Sequence, residues 1–469
     1  MKRCLVVIFL GILAGCVTYK PEPISPAQTD AAFRSRTVDD SGLRDFVSKN
    51  STNLAAHWPP KEFDLEALTL VAFYYHPDLQ LARARVAESA AGEITAGERP
   101  NPSVSFSPQY AVNSDTGTSP WLFGFSWDIP IETAGKRGHR LEQAKQLTLA
   151  ARIALGETAW KVRGDLRSNL VEYYAADLDA QYLRTETNLR SNLLERLERQ
   201  LQAGETSRLE VNVARSESIS SSIAQTKAET RFADARFQVA ASIGLPMAAF
   251  EKMRIHWRYD EPTNPNTISP ASIQSASVLN RLDVRRSLAE YAASEAALQS
   301  EIAKQYPDVH ISPGYEFDQG EHKFGIGASA TLPILNHNLG PIAEAEAKRK
   351  ESEIRFLAVQ SGAIQDMERT SAAYRRAYMQ WTNDSTLIAA QSRNLKSAQA
   401  TVQAGEADQS VVWTAQLQRL EARRGQLESL RVLQQSLGAL ENAVQRPISE
   451  STDIRFLASP DIATERDKR

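Results

Sequence analysis

Trp121-Leu122-Phe123-Gly124-Phe125-Ser126-Trp127-Asp128-Ile129-Pro130-Ile131 alternates large apolar side chains with small or polar ones. In an extended chain successive side chains point to opposite faces, so the odd-numbered residues share one side of a strand. Residues 103–112 alternate in the same way through Val104, Phe106, Tyr110 and Val112. The polar stretch 113–120 between the two runs reads as a hairpin connection. The row Trp121, Phe123, Phe125 and Trp127 is expected to face lipid or to form an interfacial belt.

The same unit is written a second time about 200 residues later. Pro102–Tyr110 resembles Pro307–Tyr315, and Ile129-Pro130-Ile131 matches Leu332-Pro333-Ile334. Gln202-Ala203-Gly204-Glu205 recurs as Gln403-Ala404-Gly405-Glu406, and Pro246 recurs as Pro447. That period is too long for a solenoid and implies an internal duplication. Each unit reads as helix, strand pair, long helix, turn, helix. Asp64–Arg99 carries the pattern of one helix ahead of the first strands, with no interior proline except Pro77, and Asn101-Pro102 ends it. No proline occurs from Thr133 to Ala203, where Leu166, Tyr173, Ala180, Thr187, Leu194 and Leu201 recur every seventh residue. After Gly204, a second seam runs through Ile219, Ile223, Thr226, Thr230, Ala233, Phe237, Ala240 and Gly244. A strict seven-residue repeat predicts left-handed coiled coils. A helix over 134–203 would reach ~105 Å, matched by helices over 64–99 and 206–245 laid end to end.

The chain starts with a positive Met1-Lys2-Arg3 and an apolar run, Cys4–Val17, too short for a spanning helix of ~20 residues. The run ends Leu13-Ala14-Gly15-Cys16, which resembles a bacterial lipobox and makes Cys16 the expected lipid attachment site. The residue after it is Val17, not Asp, which favours the outer membrane. The expected division is a signal peptide at 1–15, an anchored segment at 16–63, repeats at 64–246 and 270–447, a linker at 247–269 and a tail at 448–469. The mature chain keeps one cysteine, so neither a disulfide nor a free catalytic thiol is expected.

The 469 residues are 42% hydrophobic and 24% charged, with a formal charge of −3. Such near-neutral composition excludes a basic nucleic-acid binder. A mean hydropathy of −0.38 excludes a polytopic helical membrane protein. No Gly-rich phosphate loop, nucleophile elbow or His/Cys/acid cluster is present, so no enzyme and no cofactor are expected. The seven histidines have no paired ligand spacing on one helix, and no metal site is expected. A membrane crossing would have to use strands, and four strands cannot close a barrel, which needs ~8. Oligomerisation follows from that alone.

The duplicated hairpins and long helices resemble the TolC-type outer-membrane factor family, the exit ducts of efflux pumps and type I secretion systems. Pro130-Ile131-Glu132-Thr133-Ala134-Gly135-Lys136-Arg137 and Leu332–Ala345 are similar to stretches of its cobalt–zinc–cadmium resistance branch, as are His76-Pro77-Asp78-Leu79 and Arg99-Pro100-Asn101-Pro102. The resemblance implies a mainly α chain with a small β part, its long coiled-coil helices forming a periplasmic tunnel. Four strands per protomer would contribute to a trimeric twelve-stranded outer-membrane β-barrel. It implies a homotrimer in outer-membrane lipid, partnered by a periplasmic adaptor and an inner-membrane pump of the RND type. The cargo would be small solutes, heavy-metal cations among them. The turns at Gly204-Glu205 and Gly405-Glu406 would form the tip that docks the adaptor. Glu210, Glu406 and Asp408 are candidates for an acidic entrance gate, though acids there also complement helix N-termini. Two alternatives stand beside this reading: a periplasmic coiled-coil lipoprotein scaffold, and an exit duct for a secreted polypeptide.

Overall fold

The computed structural model describes residues 17–112, 117–257, 262–267, 281–318 and 320–448. Cys16 and the signal peptide, loop residues 113–116, parts of the linker and nearly all of the tail lie outside the described residues.

Three short helices lead in: α1 (Pro26–Arg34), α2 (Ser41–Asn50) and α3 (Thr52–Ala55). Then come α4 (Leu65–Tyr75), α5 (Pro77–Gly97), β1 (Ser103–Tyr110) and β2 (Trp121–Ile131). The 68-residue α6 (Lys136–Ala203) and the 36-residue α7 (Arg208–Ile243) follow. After the short α8 (Met247–Phe250), the second half contains α9 (Leu282–Ala303), β3 (Val309–Asp318) and β4 (Glu321–Ala330). The 65-residue α10 (Leu339–Gln403) and the 36-residue α11 (Gln409–Val444) complete the described chain. At 1.5 Å per residue α6 is ~100 Å long. Among the described residues no helix is long and apolar enough to cross a membrane.

The single helix expected over 64–99 is two. Pro77 lacks an N–H and drives the residue before it out of the helical region, so His76 is extended at φ −66°, ψ 128°. Asp64 caps α4 by accepting from Ala67 N at 2.8 Å, and Pro77 opens α5 at a position where proline is tolerated.

The two hairpins join into one antiparallel sheet of order β1-β2-β3-β4. Ile129 pairs Ile311, Phe125 pairs Tyr315 and Phe123 pairs Phe317 across the β2–β3 boundary. The outer edges of β1 and β4 have no partner strand among the described residues.

α6 packs along α5, α7, α9 and α11, and α10 along α9 and α11. The main core forms a waist part-way along the long helices. α4 is buried there almost all round, among Leu166, Leu170, Val239, Ile243, Leu433, Leu437 and Leu440. The leading segment is tied to the same waist, where Arg36 Nη1 donates to Gly244 O at 2.9 Å and Trp58 Nε1 to Val38 O at 3.0 Å.

The seam read along α7 is not, apart from Ala240 and Gly244 at its end, the one that packs within this chain. Ala214, Ser221, Ala228, Ala235 and Ser242 are buried, another row of period seven. Ile219, Ile223 and Phe237 are more than half exposed. A seven-residue repeat marks more than one stripe, and small residues win the contact in which two backbones approach closely.

Candidate channel elements

In an antiparallel ladder, directly opposed residues share a face. Tyr110 opposes Trp121, Pro108 opposes Phe123, Phe106 opposes Phe125 and Val104 opposes Trp127. The row continues into β3 and β4, where Tyr315 opposes Phe324 and Pro313 opposes Ile326. The predicted aromatic residues therefore lie together on one apolar sheet face. Trp121, Phe125 and Trp127 are 46%, 39% and 43% exposed, and Phe324 and Ile326 exceed 80%. Phe123 is half-buried, stacked between Phe106 and Phe317 at ring separations of 6.3 Å on each side.

The opposite face is small and polar. Ser105 opposes Ser126, Ser107 opposes Gly124, and Ser312 opposes Gly327. A shallow hollow in the sheet is lined in part by Ser107, Gly124, Ser126, Ser312, Gly314 and Gly327.

The junction motif locks the first hairpin to the second. Ala134 and Gly135 both have positive φ, 53° and 71°, and turn the chain from β2 into α6. Thr133 N donates to Asp308 Oδ1 at 2.9 Å, and Thr133 Oγ1 donates to Pro307 O at 2.6 Å. Lys136 Nζ bonds Asp308 Oδ1 at 2.7 Å and Tyr306 O at 2.7 Å. Burial alone would raise the Asp308 carboxyl, but the bonds from Lys136 and Thr133 hold it below the usual carboxylate range.

At the far end of the helices, Gly204 and Gly405 have φ of 75° and 76°. Glu205 N donates to Gln200 O and Gly204 N to Leu201 O; Glu406 N donates to Thr401 O and Gly405 N to Val402 O. Both turns are Schellman motifs, which need a left-handed residue where glycine carries no Cβ penalty. Glu205 and Glu406 are exposed there.

The gate candidates Glu210 and Asp408 serve helix starts. Ser207 Oγ accepts from Glu210 N at 3.2 Å, and Glu210 Oε2 accepts from Ser207 N at 3.1 Å, a reciprocal capping box. Bonds from the Thr206 hydroxyl and Ser207 N–H lower the Glu210 pKa. Asp408 caps α11 by accepting from Ser410 N at 2.8 Å and also forms an ion pair with Arg196 of α6. The Ser410 N–H leads the causes that lower its pKa, and Arg196 adds to them. Among the described residues no group of three His, Cys, Asp or Glu converges as metal ligands would.

Three contacts lay beyond sequence reasoning: the Asp308 clasp, the Asp128–His310 pair on the polar face, and a buried cluster of Arg163, Arg167 and Glu441. Asp308 lies within the Pro307–Tyr315 repeat, but no sequence spacing announces its partner Lys136.

A family model described as outer membrane efflux protein matches residues 72–245. No curated protein matches the sequence. The fold is similar to that of CusC, from a crystallographic study of its folding and transmembrane channel formation. The TM-score is 0.65 at 18% identity, over 82% of this chain and 94% of that one. It is also similar to the Campylobacter jejuni CmeC outer membrane channel, with a TM-score of 0.69 at 14% identity over 95% and 94% of the two chains. The open-state Neisseria gonorrhoeae MtrE outer membrane channel gives 0.65 at 14% identity over 83% and 90%. The resemblance to outer-membrane factors read from the sequence is thus borne out, by the family match over residues 72–245 and by the shared fold.

Proposed function

We propose that this chain is the outer-membrane channel of an efflux machine, three copies of it closing one pore. The sheet carries the reading: one face apolar and exposed, the other rich in Ser and Gly, with two edges unpaired among the described residues. Its strands are 8 to 11 residues long, and tilted strands of ~9–11 residues cross a bilayer. Apolar outside and polar inside is the alternation of a membrane barrel. An open edge cannot sit in lipid, so β4 of one copy pairs β1 of the next, and three copies give twelve strands. Trp121, Phe123, Phe125 and Trp127 then meet lipid. The exposed seam Ile219, Ile223 and Phe237 supports packing of α7 against a second copy.

In this reading the segments 64–246 and 270–447 are two copies of one ancestral unit, flanked by the segment 16–63, the linker 247–269 and the tail 448–469. Cys16 carries the lipid that helps hold the assembly at the outer membrane of a Gram-negative cell. The helices cross the periplasm, and the Gly204-Glu205 and Gly405-Glu406 turns meet a periplasmic adaptor that couples the channel to an inner-membrane pump of the RND type. Transport is passive, and the tip opens as the coiled coils untwist, with Glu210, Glu406 and Asp408 at the entrance. The cargo is small solutes, with heavy-metal cations suggested by the likeness of the junction motifs to those of the metal-resistance branch.

Single-channel recording from detergent-purified protein tests the pore, with heat-modifiable oligomer migration as the control. Discrete conductance steps from an oligomer are expected; no insertion by intact lipidated protein refutes the reading. Disulfide locking between cysteines placed in 203–213 and 402–414 tests the tip. Efflux should stop under oxidation, and unchanged efflux with verified crosslinks refutes tip opening.

A further inference from the structure

On the polar face of the sheet, an imidazole and a carboxylate meet across β2 and β3. His310 Nδ1 lies 3.0 Å from Asp128 Oδ2 and 3.1 Å from Oδ1. Ser312 Oγ donates to Oδ1 at 3.4 Å. The opposed residues are small: Ser103 faces Asp128 and Ser329 faces His310. The side chains of His310 and Asp128 are 36% and 42% exposed, so the space in front of them is open. The nearby ammonium of Lys136 is engaged by Asp308 at 2.7 Å.

We propose that Asp128 and His310 form a station in the pore wall for a divalent transition-metal cation in transit. The proposal rests on the channel reading, because it is the barrel lumen that turns this face toward water and passing ions. A cation bound to one imidazole nitrogen and one carboxylate oxygen at ~2.0–2.1 Å, with a tetrahedral angle, sets its two donors ~3.3 Å apart. The donors already stand 3.0 Å apart, so the cation takes the place of the shared proton with a small opening of the pair. The Ser312 hydroxyl and lumen water complete its shell. Two strong protein ligands hold an ion loosely, and weak, exchangeable binding is what conduction requires. The imidazole sets the class: it suits zinc, copper, nickel and cobalt, whereas magnesium and calcium prefer all-oxygen shells. Each copy carries one such pair, at the end of the barrel where the strands meet the long helices.

The test is equilibrium dialysis of the purified full chain in detergent against Zn²⁺, with Mg²⁺ as the comparison, alongside bilayer recording. Wild-type protein should bind Zn²⁺ in preference to Mg²⁺. Zinc affinity should fall at least about tenfold in both His310→Ala and Asp128→Asn, while Asp128→Glu, which keeps a carboxylate, should retain most of it. Added Zn²⁺ should reduce wild-type single-channel current and leave that of His310→Ala unchanged. Oligomer migration identical to wild type certifies that each variant is assembled. Zinc binding or zinc block that is the same in wild type and both variants overturns the station and leaves the channel intact. Equal binding of Mg²⁺ overturns the role of the imidazole and with it the proposal. Absence of any conductance from wild type refutes the channel reading and the transit role together, even where dialysis finds the ion bound.

Discussion

Arg163 on α6 reaches Glu441 on α11 across 278 residues of sequence, Nη1 to Oε2 at 3.1 Å, with both side chains sealed from water. Arg167 brings a second guanidinium to the same carboxylate, Nε to Oε2 at 3.4 Å. The two cations lie over the rings of Trp160 and Trp257 at 5.5 and 5.4 Å. Ile448 N donates to the other carboxylate oxygen at 2.9 Å. Deleting one member of a buried ion group strands the others without compensation, at a cost of about 3–5 kcal/mol. Glu441→Gln is therefore expected to lower stability by that order, measured as a shift in denaturation midpoint. A change below about 1 kcal/mol would mean that water or another anion reaches the arginines.

The same carboxylate makes stability depend on pH. Burial raises the Glu441 pKa, but Arg167 and Arg163 outweigh it and leave the group below its ordinary value. A depressed folded pKa means that the unfolded chain takes up the proton first. The contribution is thus complete above the unfolded value of ~4.3 and is lost as pH falls through the lower folded value. Wild-type protein should lose thermal stability on acidification into that range, and Glu441→Gln should lose less. Parallel profiles for the two would refute the assignment.

Two left-handed glycines separate strain from crowding. Gly204 has φ 75° with open space where a Cβ would project, whereas at Gly244, φ 72°, a Cβ would stand 3.0 Å from the Tyr75 backbone. Gly204→Ala should cost about 1–2 kcal/mol from backbone conformation alone. Gly244→Ala should cost distinctly more, because the α4 backbone must also move. Thermal unfolding of the two variants ranks them, and equal losses would contradict the packing at Gly244.

The junction clasp predicts an assembly defect rather than a conductance defect. Thr133→Val removes the hydroxyl that donates to Pro307 O, worth about 1 kcal/mol. Lys136→Met leaves Asp308 without its cation and should do more harm. The expected outcome is a lower yield of heat-modifiable oligomer, larger for Lys136→Met, with normal current in the channels that form.

At the tip, the two acids should behave differently. Glu210 is held in its capping box, so Glu210→Gln should leave open probability unchanged, while Ser207→Ala costs about 1 kcal/mol of stability. Asp408 also holds Arg196 from the other long-helix pair. Asp408→Asn should therefore alter open probability in bilayer recording. The reverse order would return Glu210 to the gate.

Much of the fold was legible because it rests on local periodicity. Period two at 121–131 and a proline-free heptad after it mark strand and long helix wherever they occur, and Gly204 and Gly405 mark their ends. The sequence was silent where one stripe had to be chosen from several. The α7 row with the larger residues, Ile219, Ile223 and Phe237, looked like the packing seam, yet the small row from Ala214 to Ser242 is buried. Long-range pairs were equally hidden. Nothing in the sequence singles out Glu441 or His310 before the fold sets them beside Arg163 and Asp128, because no helical or strand spacing encodes a contact between distant elements.

The open edges of β1 and β4 also govern how the protein comes into being. The terminal strands of the sheet find no partner among the described residues, and in the proposed barrel their hydrogen bonding is completed by other copies. Under that reading, encounter with other copies is part of the folding reaction, and its rate and midpoint depend on protein concentration. In the proposed ring, a substitution that weakens one strand is felt at every seam, so modest defects in a single chain are multiplied in the assembled wall.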